Sequence, residues 1–250
     1  MRKLAFTSIG IFLSSFLIHA QIIVTDEFDS NTVDTSKWQI ILPFNNQFVI
    51  DRQVTSAATQ NYGILTLTGG ASINSKANIG GSYKVSGIFN QTSPGGRTII
   101  TLRGDGVSSD PAYGNPNGSI LFFFYGDPNA NGGDPNYKCD IGIASSAYAW
   151  DFNINEIYRD NNFQLQKDNP TSFSITDWGN LLEVNINDKL VSRIDLSPGG
   201  FGTSVTIASQ WVDNSGLQID SLRIESIPEP SAISLLAIGL GGWVIVRRRR

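Results

Sequence analysis

Leu182-Glu183-Val184-Asn185-Ile186-Asn187-Asp188-Lys189-Leu190-Val191-Ser192-Arg193-Ile194 decides the fold class. Apolar residues at 182, 184 and 186 alternate with Glu183 and Asn185, the period of a half-buried strand. Asn187-Asp188 then supplies two residues that tolerate the left-handed backbone of a tight turn, and 190–194 reads as the returning strand. Working outward, the same signals recur. Ile64-Leu65-Thr66-Leu67-Thr68 alternates and stops at Gly69-Gly70. Tyr83–Phe89, Asn162–Gln166, Ser172–Ile175, Val205–Ala208 and Leu217–Ile224 read as further strands. Thr98–Leu102 and Ile120–Tyr125 are apolar on both faces, which predicts central strands. No long amphipathic 3.6-residue period lies between Gln21 and Ile227. The expected fold class is therefore all-β, an antiparallel β-sandwich over residues 21–226.

The two ends differ from this body. Arg2-Lys3, the apolar run Leu4–Ile18 and the small Ala20 form the charged, hydrophobic and cleavage regions of a secretory signal, a helix over residues 1–20. Cleavage is expected between Ala20 and Gln21. At the other end, Pro228-Glu229-Pro230 leads into the apolar run 232–246 and then Arg247-Arg248-Arg249-Arg250. Two prolines keep the approach extended. Fifteen apolar residues make a helix of about 22 Å, short for a bilayer core of about 30 Å unless arginine stems snorkel. The arginines predict a cytoplasmic C-terminus. In this order, triplet, apolar run and basic end resemble the PEP-CTERM sorting signal. That resemblance implies that residues 227–250 are a sorting segment with a short transmembrane helix. It also implies export, transient inner-membrane anchoring, an exosortase as partner, and a destination in the cell envelope or extracellular matrix.

Composition narrows the chemistry. With both ends removed, about 200 residues are left, enough for one real core. Lys+Arg falls from 18 to 12 and Asp+Glu from 22 to 21, so the net charge is near −9. Such a surface does not suit nucleic acid. Cys139 is the single cysteine, which excludes an internal disulfide; its strand pattern with Ile141 and Ile143 makes it a buried small hydrophobe. His19 is the single histidine and would leave with the signal. A Ser-His-Asp triad, a Cys-His pair and a histidine zinc site are therefore excluded from the mature body. No glycine-rich phosphate loop opens a helix.

Three stretches resemble the concanavalin-A-like jelly roll shared by laminin-G-type modules, legume lectins and family 16 glycosidases. Asp26-Glu27-Phe28-Asp29 with Thr35-Ser36-Lys37-Trp38 is similar to their opening, with Val33 in place of a leucine. Trp178–Ile194 is similar to their paired strands around an Asp-Gly turn, here Asp188-Lys189. Val205–Ile224 is similar to their last two strands. The resemblance implies a carbohydrate-related role.

Glycoside cleavage needs two carboxylates across the scissile bond. The glycosidases of this type carry Glu-x-Asp-x-x-Glu on one strand, and no such motif occurs here. Positions 179, 181, 185 and 187 around Glu183 hold Gly, Leu, Asn and Asn, so no second acid shares its strand. No catalytic residue is assigned and no cofactor is expected. Asp127-Pro128-Asn129-Ala130-Asn131-Gly132 matches the start of a calcium-binding loop, and Asp134 adds an oxygen. Position twelve is Lys138 where a glutamate is needed, so Asp127, Asn129, Asn131 and Asp134 are only weak calcium candidates, and a polar turn is the preferred reading. Aromatic side chains for sugar stacking exist in Trp150, Trp178, Trp211, Tyr113, Tyr148 and Tyr158. The expected function is a non-catalytic surface or matrix protein, with exopolysaccharide as a partner. The alternatives are an unusual glycosidase-like enzyme and a purely structural matrix component.

Overall fold

A computed structural model describes residues 20–42, 56–91, 97–104, 120–125, 141–145, 156–160, 168–196, 203–210 and 216–227. The signal segment before Ala20, Cys139, the 162–166 run, Asp127–Asp134 and Pro228–Arg250 lie outside them. The strands run in chain order as β1 (Gln21–Asp26), β2 (Trp38–Ile41), β3 (Ala57–Asn61), β4 (Ile64–Thr68) and β5 (Ser72–Ser75). Next come β6 (Tyr83–Gln91), β7 (Arg97–Gly104), β8 (Ile120–Tyr125), β9 (Ile141–Ser145) and β10 (Glu156–Asp160). The last are β11 (Thr171–Asp177), β12 (Leu181–Ile186), β13 (Lys189–Asp195), β14 (Ser204–Gln210) and β15 (Leu217–Ser226). Among the described residues no helix is long and apolar enough to cross a membrane.

Two antiparallel sheets form. Sheet A has the order β13-β12-β11-β6-β15-β4-β3, with β1 also on β15; sheet B has the order β10-β9-β8-β7-β14-β5-β2. The doubly apolar strands β7 and β8 are central in sheet B, as their composition predicts. Val85, Phe89, Ile175, Val184, Leu65 and Ile224 of sheet A pack toward Trp38, Ile73, Ile100, Leu102, Val205 and Ile207 of sheet B. Each fully buried aliphatic or phenyl side chain contributes about 1.5–3 kcal/mol. Phe89 and Phe173 meet with ring centroids 5.9 Å apart at 52°.

The deciding hairpin forms as read. Asn187 and Asp188 have φ of 49° and 62°, both left-handed, and Ile186 pairs with Lys189, so the loop is two residues long. The turn pair is thus Asn187-Asp188, one residue earlier than the Asp188-Lys189 alignment suggests. A register shift between Val184 and Asn185 displaces β13, so Ser192 points inward while Leu190 is exposed.

A second bulge sets the phase of β15. Leu217 and Ile219 are buried, and so are Leu222 and Ile224. An unbroken period of two cannot place both pairs on one face. The shift between Ile219 and Ser221 resolves this and turns Ser221, Arg223 and Glu225 outward. It also presses β15 onto β6: a Cβ on Gly87 would lie 2.3 Å from the Ser221 carbonyl oxygen. That neighbour is backbone and cannot swing aside. Gly87→Ala is expected to cost about 1–3 kcal/mol, the overpacking range, seen as a lower denaturation midpoint at unchanged m-value. An unchanged midpoint would mean that the bulge relaxes freely.

Candidate functional site

The opening motif closes on itself. Asp26 is buried, and its Oδ2 accepts the Trp38 indole N–H at 2.7 Å while Oδ1 accepts the Phe28 N–H at 3.0 Å. The Lys37 ammonium stands 3.7 Å from the same carboxylate. Asp34 starts the turn that presents Trp38: its carbonyl accepts the N–H of both Lys37 and Trp38, and its carboxylate accepts the Ser36 hydroxyl and N–H. Those Ser36 bonds hold the Asp34 carboxyl below its usual range. The motif therefore anchors a buried tryptophan.

A second buried cluster joins the sheets. Arg103 ends β7 with φ at 59°, in the left-handed region, beside a register shift of β7 against β14. This backbone turns its side chain toward sheet A. Nε and Nη2 donate to the two Asp177 oxygens at 2.7 Å each, and Nη2 also reaches the Gly179 carbonyl at 2.6 Å. Asp177 further accepts the Gly179 N–H at 2.8 Å. The buried Tyr83 hydroxyl lies in this cluster, beside the Asp177 carboxylate and the Arg103 backbone. Burial, and then the negative Asp177, push its pKa far above the ordinary tyrosine value.

Glu183 is engaged as well. It accepts from Arg193, its cross-strand partner, and from the Trp178 indole N–H at 3.3 Å. Trp178 is half-buried on the outer face of sheet A. Glu225 holds both Arg223 at 2.7 Å and Lys84 at 3.8 Å. Among the described residues no group of three or more metal-binding side chains gathers. The calcium candidates Asp127, Asn129, Asn131 and Asp134 lie outside those residues, as do Trp150, Trp211, Tyr113 and Tyr148.

The ends of the body meet. Ala20 is exposed and Gln21 opens β1. Gln21 pairs with Ser226, the last residue of β15, and the Ser226 hydroxyl lies 3.3 Å from both the Gln21 N–H nitrogen and its carbonyl oxygen. Ile227 donates its N–H to the Ser82 carbonyl at 3.0 Å. The chain thus stays pinned up to the residue before Pro228.

Residues 226–250 match the PEP-CTERM protein-sorting motif. The motif marks an exported protein that is held transiently at the membrane and processed by an exosortase. No curated protein sequence matches the chain. Solved structures similar to it have the concanavalin-A-like jelly roll. One comes from work on endo-acting O-glycanases of the human gut microbiota that initiate mucin breakdown, with a TM-score of 0.56, 12% identity, and coverage of 83% of this chain and 100% of that one. A second is the VIP36 exoplasmic/lumenal domain bound to Ca2+ and Man3GlcNAc, with 0.55, 13%, and coverage of 82% and 91%. A third is a family 16 glycosyl hydrolase from Mycobacterium smegmatis, with 0.54, 10%, and coverage of 82% and 100%. At these identities the likeness is one of fold, and that fold hosts both lectins and hydrolases.

Proposed function

We propose that this is an exported envelope or matrix protein whose jelly roll binds polysaccharide without cleaving it. In this reading signal cleavage falls between Ala20 and Gln21. The apolar run 232–246 holds the body at the inner membrane with Arg247–Arg250 on the cytoplasmic side, and an exosortase trims the chain at Pro228-Glu229-Pro230. The observation that carries the reading is the junction: the sorting motif begins on the last residue of a jelly roll whose strands run from Gln21 to Ser226. The VIP36 neighbour, bound to Man3GlcNAc, favours a glycan partner. The acidic body does not favour nucleic acid.

A glycosidase-like enzyme is the second reading, favoured by the glycosyl hydrolase neighbours. Against it, Asp26, Asp177, Glu183 and Glu225 each hold a cation or an N–H in the fold itself. The Ca2+ bound by the VIP36 domain keeps a calcium ion at Asp127, Asn129, Asn131 and Asp134 as a further proposal.

Protein purified from the exporting cell and laid on an array of polysaccharides is expected to bind at least one of them. It is expected to release no reducing ends from any. Glu183→Gln should leave binding within about 1 kcal/mol, the scale of one ordinary hydrogen bond. Reducing-sugar release that vanishes in Glu183→Gln would replace the binding reading with the enzymatic one.

A further inference from the structure

We propose that the outer face of sheet A carries a trough that takes a neutral, extended polysaccharide chain lying across the strands. The inference rests on the glycan-binding reading above and assigns it a site. Strand register aligns Asn185 of β12, Ser174 of β11, Ser86 of β6 and Arg223 of β15 in one row. Ser172, Ile88 and Ser221 form the adjacent row. At about 4.8 Å per strand the four-residue row spans about 14 Å, room for a short stretch of sugar chain. Serine side chains are short and the flanking residues are long, so the rows enclose a depression of about 300 Å³.

The chemistry selects the occupant. Ser86, Ser174, Ser221 and Asn185 make no side-chain hydrogen bond with any described residue. Each serine offers a donor and an acceptor, and the asparagine offers both from one amide. Such a set matches the mixed donor and acceptor pattern of vicinal hydroxyls. Half-buried Ile88 gives the C–H face of a sugar an apolar contact. A peptide finds less here, because β11, β6 and β15 already pair on both edges and no strand can be added. Two cations, Lys84 and Arg223, stand against three carboxylates, Glu225, Glu27 and Asp188, and both cations are shared with Glu225. The balance favours a neutral chain over a uronate-bearing one. The bulge in β15 also belongs to the site, since it turns Ser221 and Arg223 outward.

The test uses the exported protein with cellulose oligomers, β-1,3-glucan, xylan and galactomannan as neutral probes, and alginate and pectate as acidic ones. Affinity is read by calorimetry and folding by thermal melt. The expected result is binding to at least one neutral probe and weaker binding to both acidic ones. Filling the trough with S86R and S174R should lower that affinity at least tenfold. The conservative triple variant S86A/S174A/N185A should lower it several-fold at an unchanged melting temperature, so that loss of binding is separated from loss of fold. Gln39→Arg, on sheet B, should bind as the unsubstituted protein does. If the trough variants bind normally, the trough is not the site while the glycan-binding reading stands. Tighter binding to alginate or pectate would overturn the neutral class. An unsubstituted protein that binds no probe would remove the glycan-binding reading and this site with it.

Discussion

Asp177→Asn is expected to lower the stability of the exported protein by about 3–5 kcal/mol, the cost of leaving a buried charge without its partner. Arg103 is the charge left behind. Its side chain is 8% exposed and that of Asp177 is fully buried, so water cannot replace the lost carboxylate. Arg103→Met is expected to cost a similar amount, because it strands Asp177 instead. The double variant Arg103→Met/Asp177→Leu should recover much of the loss, since an apolar pair removes both desolvation penalties. Urea midpoints at constant m-value measure all three. Additive losses in the double variant would show that the two residues act independently. Tyr83 adds a pH signature. Its folded pKa lies above that of the unfolded chain, so its contribution is complete below about pH 10, the unfolded value, and is lost as pH rises above it. The unsubstituted protein should therefore lose stability above that pH faster than Tyr83→Phe does. Equal alkaline slopes would mean that Tyr83 ionises in the folded state without penalty.

Much of the architecture was readable because burial writes a period into the sequence. The alternation of 182–186 and 190–194 placed β12 and β13, and the double apolarity of 98–102 and 120–125 placed two central strands. β5 was not anticipated, because Ser72, Asn74 and Ser75 are buried polar residues and leave no apolar alternation to find. The bulge in β15 did leave a signal: Leu222 comes three positions after Ile219, an odd interval between two buried positions. The ion pair left none. An arginine at the end of an apolar strand reads as a strand boundary, and its left-handed φ belongs to the tertiary structure. The trough was equally hidden. Ser86 on β6 lies far in sequence from Ser174 and Asn185 on the consecutive strands β11 and β12, and only register puts the three side by side. The alternation of 182–186 puts Glu183 on the polar face of β12, but its pairing with Arg193 and Trp178 follows from the hairpin register and the 178–181 turn.

Replacing Pro228, Glu229 and Pro230 by alanine is expected to leave export intact and to abolish trimming of the tail. The physical ground is the short reach between fold and membrane. Ile227 is bonded to Ser82, and the apolar run starts at Ala232. The intervening residues 228–231 span at most about 13–14 Å when extended. The expected recognition element is that short stretch, because the body immediately before it is committed to a strand and to the Gln21–Ser226 pair. By sequence, the two prolines each lack an N–H donor and disfavour helix at the residue before them. Three alanines would let the apolar helix grow upward to the domain and would erase the carboxylate together with the bends. Intact mass of the membrane and released fractions gives the answer: the substituted protein should remain at the untrimmed mass in the membrane. Its thermal melt should match that of the unsubstituted protein, since none of the three residues belongs to β15. Moving the triplet away from the fold, with a flexible Gly-Ser insert after Ile227, should preserve trimming and add the insert's mass to the released product. Normal trimming of the alanine variant would mean that the exosortase reads the apolar run and its arginines, and that the triplet serves only as a spacer.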